Sequence, residues 1–192
     1  MTAGILNKLK HILPLEILKT IYTTLIASQL NYGILLWGSN TSRLFKLQKK
    51  CLRRIKLEKY NAHTEPIFKE LKLLKIDDLY SLQILKFYYK LVNKVLPTYF
   101  DSMLPKRSSE VHQRHTRQSN NYVIPMVNDE FARKCIRYLL VHSINNTPKQ
   151  ITEKTDTHSY IGYTLYIKNY IMDKYSPVCT IRNCYICQKI NT

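Results

Sequence analysis

Glycine is scarce in this chain, at four of 192 residues. That excludes a glycine-rich phosphate cradle and argues against a turn-rich sandwich. Neither a Walker motif nor a dinucleotide fingerprint is present, and no histidine has an evident serine or cysteine nucleophile beside it. Acids are few as well: 13 Asp+Glu stand against 30 Lys+Arg. No apolar run is long enough for a bilayer. The nearest, Ile21 to Trp37, is broken by Thr23, Thr24, Ser28, Gln29 and Asn31. Met1 to Leu13 carries Lys8, Lys10 and His11 and does not read as a secretory signal. The five cysteines are odd in number and unevenly spread, which suits reduced thiols better than a disulfide framework. The chain is therefore expected to be intracellular and free of membrane, with nucleus and cytoplasm both open.

What is present is a core and a large positive charge. Hydrophobic residues make up 45% of the chain, enough to fold one domain, with or without an appendage. The formal net charge is +17, and a field of that size attracts polyanions. Fifteen tyrosines accompany it. Cations meet phosphates and rings stack on bases, so nucleic acid is the leading partner class.

The periodicity predicts a mainly α protein. Pro14 suits a helix N1 position, and Leu15, Leu18, Ile21, Tyr22, Leu25 and Ile26 follow at helical spacing. Tyr32 to Gly38 is apolar and reads as buried, helix or strand. Gly38 to Ser42 reads as a turn that caps the next helix. That helix is strongly basic: Leu44, Leu47, Cys51 and Ile55 form its expected buried stripe, and cations fill the other faces. A short helix follows Thr64. A longer one starts at Asp77 or Asp78, with Leu79, Leu82, Leu85, Tyr89, Val92 and Leu96 as core face and Pro97 as stop. Composition divides the chain into a helical domain over 1–104, a basic polar linker over 105–121 and a small mixed α/β C-terminal segment over 122–192. In that last segment Tyr122-Val123-Ile124 reads as a short strand, Phe131 to Val141 is ambiguous, and Tyr160 to Tyr175 reads as a helix.

Few residues invite a chemical assignment. Between Arg43 and Lys59 there are eight Lys or Arg and one acid, Glu58. Crowded like charges weaken a helix unless a polyanion neutralises them. Arg43, Lys46, Lys49, Lys50, Arg53 and Arg54 are the expected nucleic-acid contacts; a solvated face is the bland alternative. Lys106-Arg107 and Arg114-His115-Thr116-Arg117 form a second basic cluster, open to either reading. Asp77-Asp78 mimics the aromatic-x-Asp-Asp hairpin with which polymerases hold two metals. Its first position is Lys75, it lies between helical patterns, and no third carboxylate precedes it on a strand. A helix start with acids at the positive dipole end explains it better. Cys179, Cys184 and Cys187 supply three of the four ligands a structural zinc needs, and the pair His112 and His115 falls in the polar linker. The expectation is no metal, no cofactor and no catalytic residue, with zinc at the three cysteines left open.

Several blocks carry a resemblance. They are Leu30-Asn31-Tyr32-Gly33 with Trp37-Gly38; Leu47-Gln48-Lys49-Lys50 with Arg53-Arg54-Ile55; and Phe68, Leu71, Leu74, Ile76, Asp78 and Tyr80. Then come Leu96-Pro97, His115-Thr116-Arg117, Tyr122, Pro125, Ile136, Tyr138, Asn145 and Pro148. In this order they resemble the C-terminal part of non-LTR retrotransposon reverse transcriptases, of the jockey-like kind, downstream of the fingers and palm. Ile144 and Thr147 depart from that family, which usually has Trp before the Asn and Leu before the Pro. The resemblance implies a thumb-like helical bundle that grips an RNA or DNA template–primer duplex and docks on the polymerase palm of a full-length parent. The parent would be an RNA-directed DNA polymerase; its catalytic carboxylates are not in this sequence, so the chain alone is expected to polymerise nothing. The alternatives are a helical protein-interaction module and a decayed relic without activity.

Overall fold

The computed structural model describes residues 2–38, 40–111, 117, 119–156 and 158–178. Cys179, Cys184, Cys187, Arg114, and the histidines His112 and His115 lie outside the described residues. The protein is mainly α. In chain order the helices are α1 (Thr2–Leu9), α2 (Leu15–Ile21), a π-helical stretch (Tyr22–Ala27), α3 (Ser28–Asn31), α4 (Ile34–Trp37), α5 (Ser42–Ile55), α6 (Glu65–Leu71) and α7 (Ile76–Val92). They continue with a 3₁₀ turn (Thr98–Met103), α8 (Ser108–Val111), α9 (Glu130–Arg133), α10 (Ile136–Asn146), α11 (Lys149–Thr152), a 3₁₀ turn (Glu153–Thr155) and α12 (Tyr160–Asp173). The contacts divide the chain into two compact units, Met1–Tyr80 with Lys168–Thr192, and Ser81–Ile167. This division follows packing, whereas the sequence-based one follows composition.

In the first unit, Pro14 is the residue before α2 rather than its first residue, with an extended ψ of 158. From Leu15 to Asn31 the chain is helical throughout, and Leu18, Tyr22, Ile26 and Leu30 are buried at strict four-residue spacing. In an α-helix that row drifts by about 40° per step. A π turn closes one residue later, which holds the row against the core. Side chains assist the widening: Thr23 and Thr24 hydroxyls each donate to the Thr20 carbonyl at 2.9 Å, and Ser28 donates to Thr24 O.

Gly33 then takes a positive φ of 61 to start α4. The Tyr32–Gly38 run is not buried throughout. Ile34 and Gly38 are buried, but Tyr32 and Leu36 are each 84% exposed. Trp37 is half-buried and donates Nε1–H to the Tyr32 carbonyl at 2.9 Å. A Cβ on Gly38 would stand 2.4 Å from the Tyr80 ring, so glycine lets that ring close on the turn.

Helices α1, α2 and α6 pack on α5. Around α6, Phe68 stacks on Phe45 at 6.2 Å and meets the Tyr175 ring edge-on at 6.4 Å. Lys69 Nζ donates to Met172 O at 2.6 Å, and the Lys75 backbone N–H donates to the Tyr175 hydroxyl at 2.9 Å. These contacts fix the end of α12 against α6 within this unit.

Helices α5, α6 and α7 end alike. Leu57, Lys72 and Lys94 take left-handed φ values of 56, 54 and 51. Behind each, Glu58, Leu73 and Val95 donate N–H groups to Arg53 O, Phe68 O and Lys90 O at 2.9, 3.0 and 2.9 Å. That is a Schellman cap, normally completed by glycine. Helix α7 therefore stops at Val92 because of Lys94, before the expected breaker Pro97 is reached.

In the second unit, Leu82, Ile84, Leu85, Tyr88, Tyr89 and Leu91 of α7 are buried, as are Leu140, Val141 and Ile144 of α10 and Tyr163 and Ile167 of α12. The ambiguous stretch 131–141 is helical, split between α9 and α10. The expected strand Tyr122–Ile124 is absent. Only an isolated antiparallel bridge joins Tyr122 to Arg107, and no strand occurs among the described residues, so the 122–178 stretch is helical rather than mixed α/β. Tyr122 finds a side-chain partner in place of a strand. Its backbone N–H donates to Asn145 Oδ1 at 2.9 Å and its carbonyl accepts from Asn145 Nδ2 at 2.9 Å. The linker is closed at its base, where Ser108 N–H donates to Asn121 O at 2.8 Å and Val123 N–H to Lys106 O at 3.0 Å.

Candidate nucleic-acid interface

Helix α5 carries the candidate site, and one glutamine sets its orientation. Gln48 is 2% exposed. Its Nε2 donates to the Tyr22 hydroxyl and to Leu74 O, both at 2.9 Å, and its Oε1 accepts from the Ile76 backbone N–H at 3.0 Å. One amide thus ties α5 to the π-helical stretch and to the start of α7. A buried amide is tolerable only when its groups are bonded, and the three partners meet that demand.

The observed buried face is Gln48, Cys51, Leu52 and Ile55. Cys51 and Ile55 of the expected stripe are buried, but Leu44 is half-buried and Leu47 is 37% exposed, so the buried face is turned by roughly 45° toward Gln48 and Leu52. The cap also differs. Thr41 precedes the helix, but its hydroxyl donates to the Asp77 carboxylate rather than to the helix N-terminus. Burial raises the Tyr22 phenol to about 12 and pushes the Cys51 thiol up, with Arg54 opposing the latter shift.

The six expected contact residues separate into two groups. Arg43, Lys46 and Lys50 are exposed. At 100° per residue they centre roughly 160° from the buried face. No ion pair among the described residues engages them. The other three are half-buried. Lys49 Nζ rests 4.3 Å from the Phe45 ring centroid, one turn back along α5. Arg53 Nε donates to the Ala62 carbonyl at 2.7 Å, and desolvation lowers its basicity. Arg53 thereby holds the loop after α5, and Arg54 also has a neighbouring partner. Lys56, farther along, pairs with Glu70 at 2.6 Å.

Asp77 and Asp78 lie in the first turn of α7, where the helix dipole favours acids. Asp77 accepts from Thr41, and Asp78 accepts from the Tyr175 hydroxyl. Among the described residues no group of three or more His, Cys, Asp or Glu is placed to hold a metal ion, and no helix is long and apolar enough to cross a membrane. The second unit has a cleft of 640 Å³, lined by Asp101, Glu110, Glu153 and Asp156 as well as by Lys106, Arg107 and Lys149. Its mixed charge contrasts with the single sign displayed on α5.

Sequence reasoning missed Gln48 as an anchor, because in a run of cations a polar residue reads as solvated. Its spacing of three and seven from Cys51 and Ile55 was the available signal. Comparison with protein-family models, with curated proteins and with solved structures finds no match.

Proposed function

We propose that this chain binds a nucleic-acid duplex through the outer face of α5, as the thumb-like helical bundle of a non-LTR retrotransposon reverse transcriptase. On this reading it serves an RNA-directed DNA polymerase without holding the catalytic carboxylates, and it polymerises nothing by itself. The observation that carries the reading is the placement of Arg43, Lys46 and Lys50, exposed, opposite the buried face and, among the described residues, in no ion pair with a carboxylate. Phosphates would relieve that like-charge crowding. The ordered blocks of resemblance and the net charge of +17 support it from the sequence.

The test is charge reversal at Arg43, Lys46 and Lys50 together. These three side chains are exposed, whereas Arg53 is half-buried and bonded to the Ala62 carbonyl. Affinity for an RNA–DNA heteroduplex should fall at least 100-fold at low salt with the circular dichroism spectrum unchanged. Equal affinity would overturn the assignment.

A second reading, a helical module that docks on another protein, rests on Tyr32 and Leu36, each 84% exposed and four residues apart. In the family the partner would be the polymerase palm. It predicts self-association that persists at high salt and weakens in a Tyr32→Ser/Leu36→Ser variant, read by sedimentation.

A further inference from the structure

The geometry points to a second phosphate-binding site, in the Ser81–Ile167 unit, where Lys86 and Lys90 converge on the ring of Tyr160 to hold the backbone of single-stranded nucleic acid. Lys86 Nζ lies 5.4 Å and Lys90 Nζ 5.2 Å from the Tyr160 ring centroid. The two lysines are one turn apart on α7, an arrangement that weakens a helix when both are charged. No carboxylate among the described residues pairs with either one.

The ring is itself held. Tyr89, buried, places its ring 5.7 Å from Tyr160 and donates its hydroxyl to His158 O at 2.8 Å. Tyr160 and both lysines remain half-exposed, and Ile161, next along α12, is 71% exposed. The ring quadrupole offsets part of the repulsion between the ammonium groups. A phosphodiester between them would offset far more, and an aromatic beside paired cations is the arrangement that tracks single strands. The lysines stand farther from Tyr160 than Lys49 does from Phe45 at 4.3 Å, so their ammonium groups are not committed to the ring.

The site shares no residue with α5, and the test keeps the two distinguishable. Binding of fluorescein-labelled oligo(dT) of about 20 nucleotides is measured across salt for the full chain, for Lys86→Ala/Lys90→Ala, and for the charge-reversed α5 variant. Losing two phosphate contacts should flatten the log–log salt slope by about 1.4. Lys86→Arg/Lys90→Arg should keep the parental slope. An unchanged slope in the alanine variant, or an arginine variant that flattens it equally, overturns the proposal while leaving the α5 reading to its own variant. Should the alanine variant not fold, acetylation of the parental chain decides. Saturating oligo(dT) should slow modification of Lys86 and Lys90, and equal rates with and without it would overturn the site.

Discussion

Gln48 shows how much one side chain can determine. It is the polar member of a block whose other residues are charged or apolar, yet it is buried and bonded to three partners on two other segments. Gln48→Leu keeps the volume roughly but strands the Ile76 N–H and the Tyr22 hydroxyl. Each stranded group costs about 1–3 kcal/mol, so a loss of roughly 3 kcal/mol is expected in urea unfolding. A loss below about 1 kcal/mol would mean that the bracket is incidental. Its partner Tyr22 sets a pH limit. The folded phenol titrates at about 12 against an unfolded value of 10.0, so the native state holds this proton more tightly. Its contribution is complete below pH 10 and is lost as the pH rises toward 12. Burial drives Tyr88, Tyr163 and Tyr175 in the same direction. Stability should be flat near neutrality and fall steeply above pH 10, by on the order of 3 kcal/mol for Tyr22 alone across its window. In Tyr22→Phe that fall should be shallower by the same order.

At the scale of elements, helix existence was legible and helix orientation was only partly so. α2, α5, α6, α7 and α12 all follow hydrophobic spacing in the sequence. The facing of α5 is legible through Cys51 and Ile55 but not through Leu47, a better hydrophobe than Gln48 by type, because the fold selects by position: Leu47 lies one residue off the row that meets α1, α2 and α6. The end of α7 was misjudged because a proline is a visible stop and a left-handed lysine is not. The strand expected at Tyr122–Ile124 rests on β-branched residues that have no neighbouring strand among the described residues to pair with. Tyr122 is satisfied instead by Asn145, 23 residues away, which no local pattern encodes. The Schellman caps give a prediction of their own. Lys72 takes a φ of 54, a region in which a Cβ costs about 1 kcal/mol. Lys72→Gly should raise the unfolding free energy by up to that amount, since its backbone bonds to the cap are unchanged. A decrease would show that the lysine stem contributes more than its backbone strain removes.

At the scale of the whole molecule, charge was the most legible property and its arrangement the least. Composition establishes a net +17, but not which cations point outward. Of the six expected contacts, Arg43, Lys46 and Lys50 are exposed on the outer face of α5, whereas Lys49 and Arg53 serve the fold through Phe45 and Ala62. That separation arises because long side chains cover apolar surface and cap carbonyls as readily as they meet phosphates. Within the resemblance blocks Gln48, Gly38, Tyr122 and Asn145 hold packing, and Lys50 is the exposed cation of α5, whereas Arg43 and Lys46 fall outside the blocks.

The most direct measurement is the salt dependence of heteroduplex binding by the full chain and by the variant reversed at Arg43, Lys46 and Lys50. If these three side chains neutralise phosphates, the log–log slope of the variant should be shallower by about 2.7. A parental slope in the folded variant would place the binding elsewhere and contradict the account of α5.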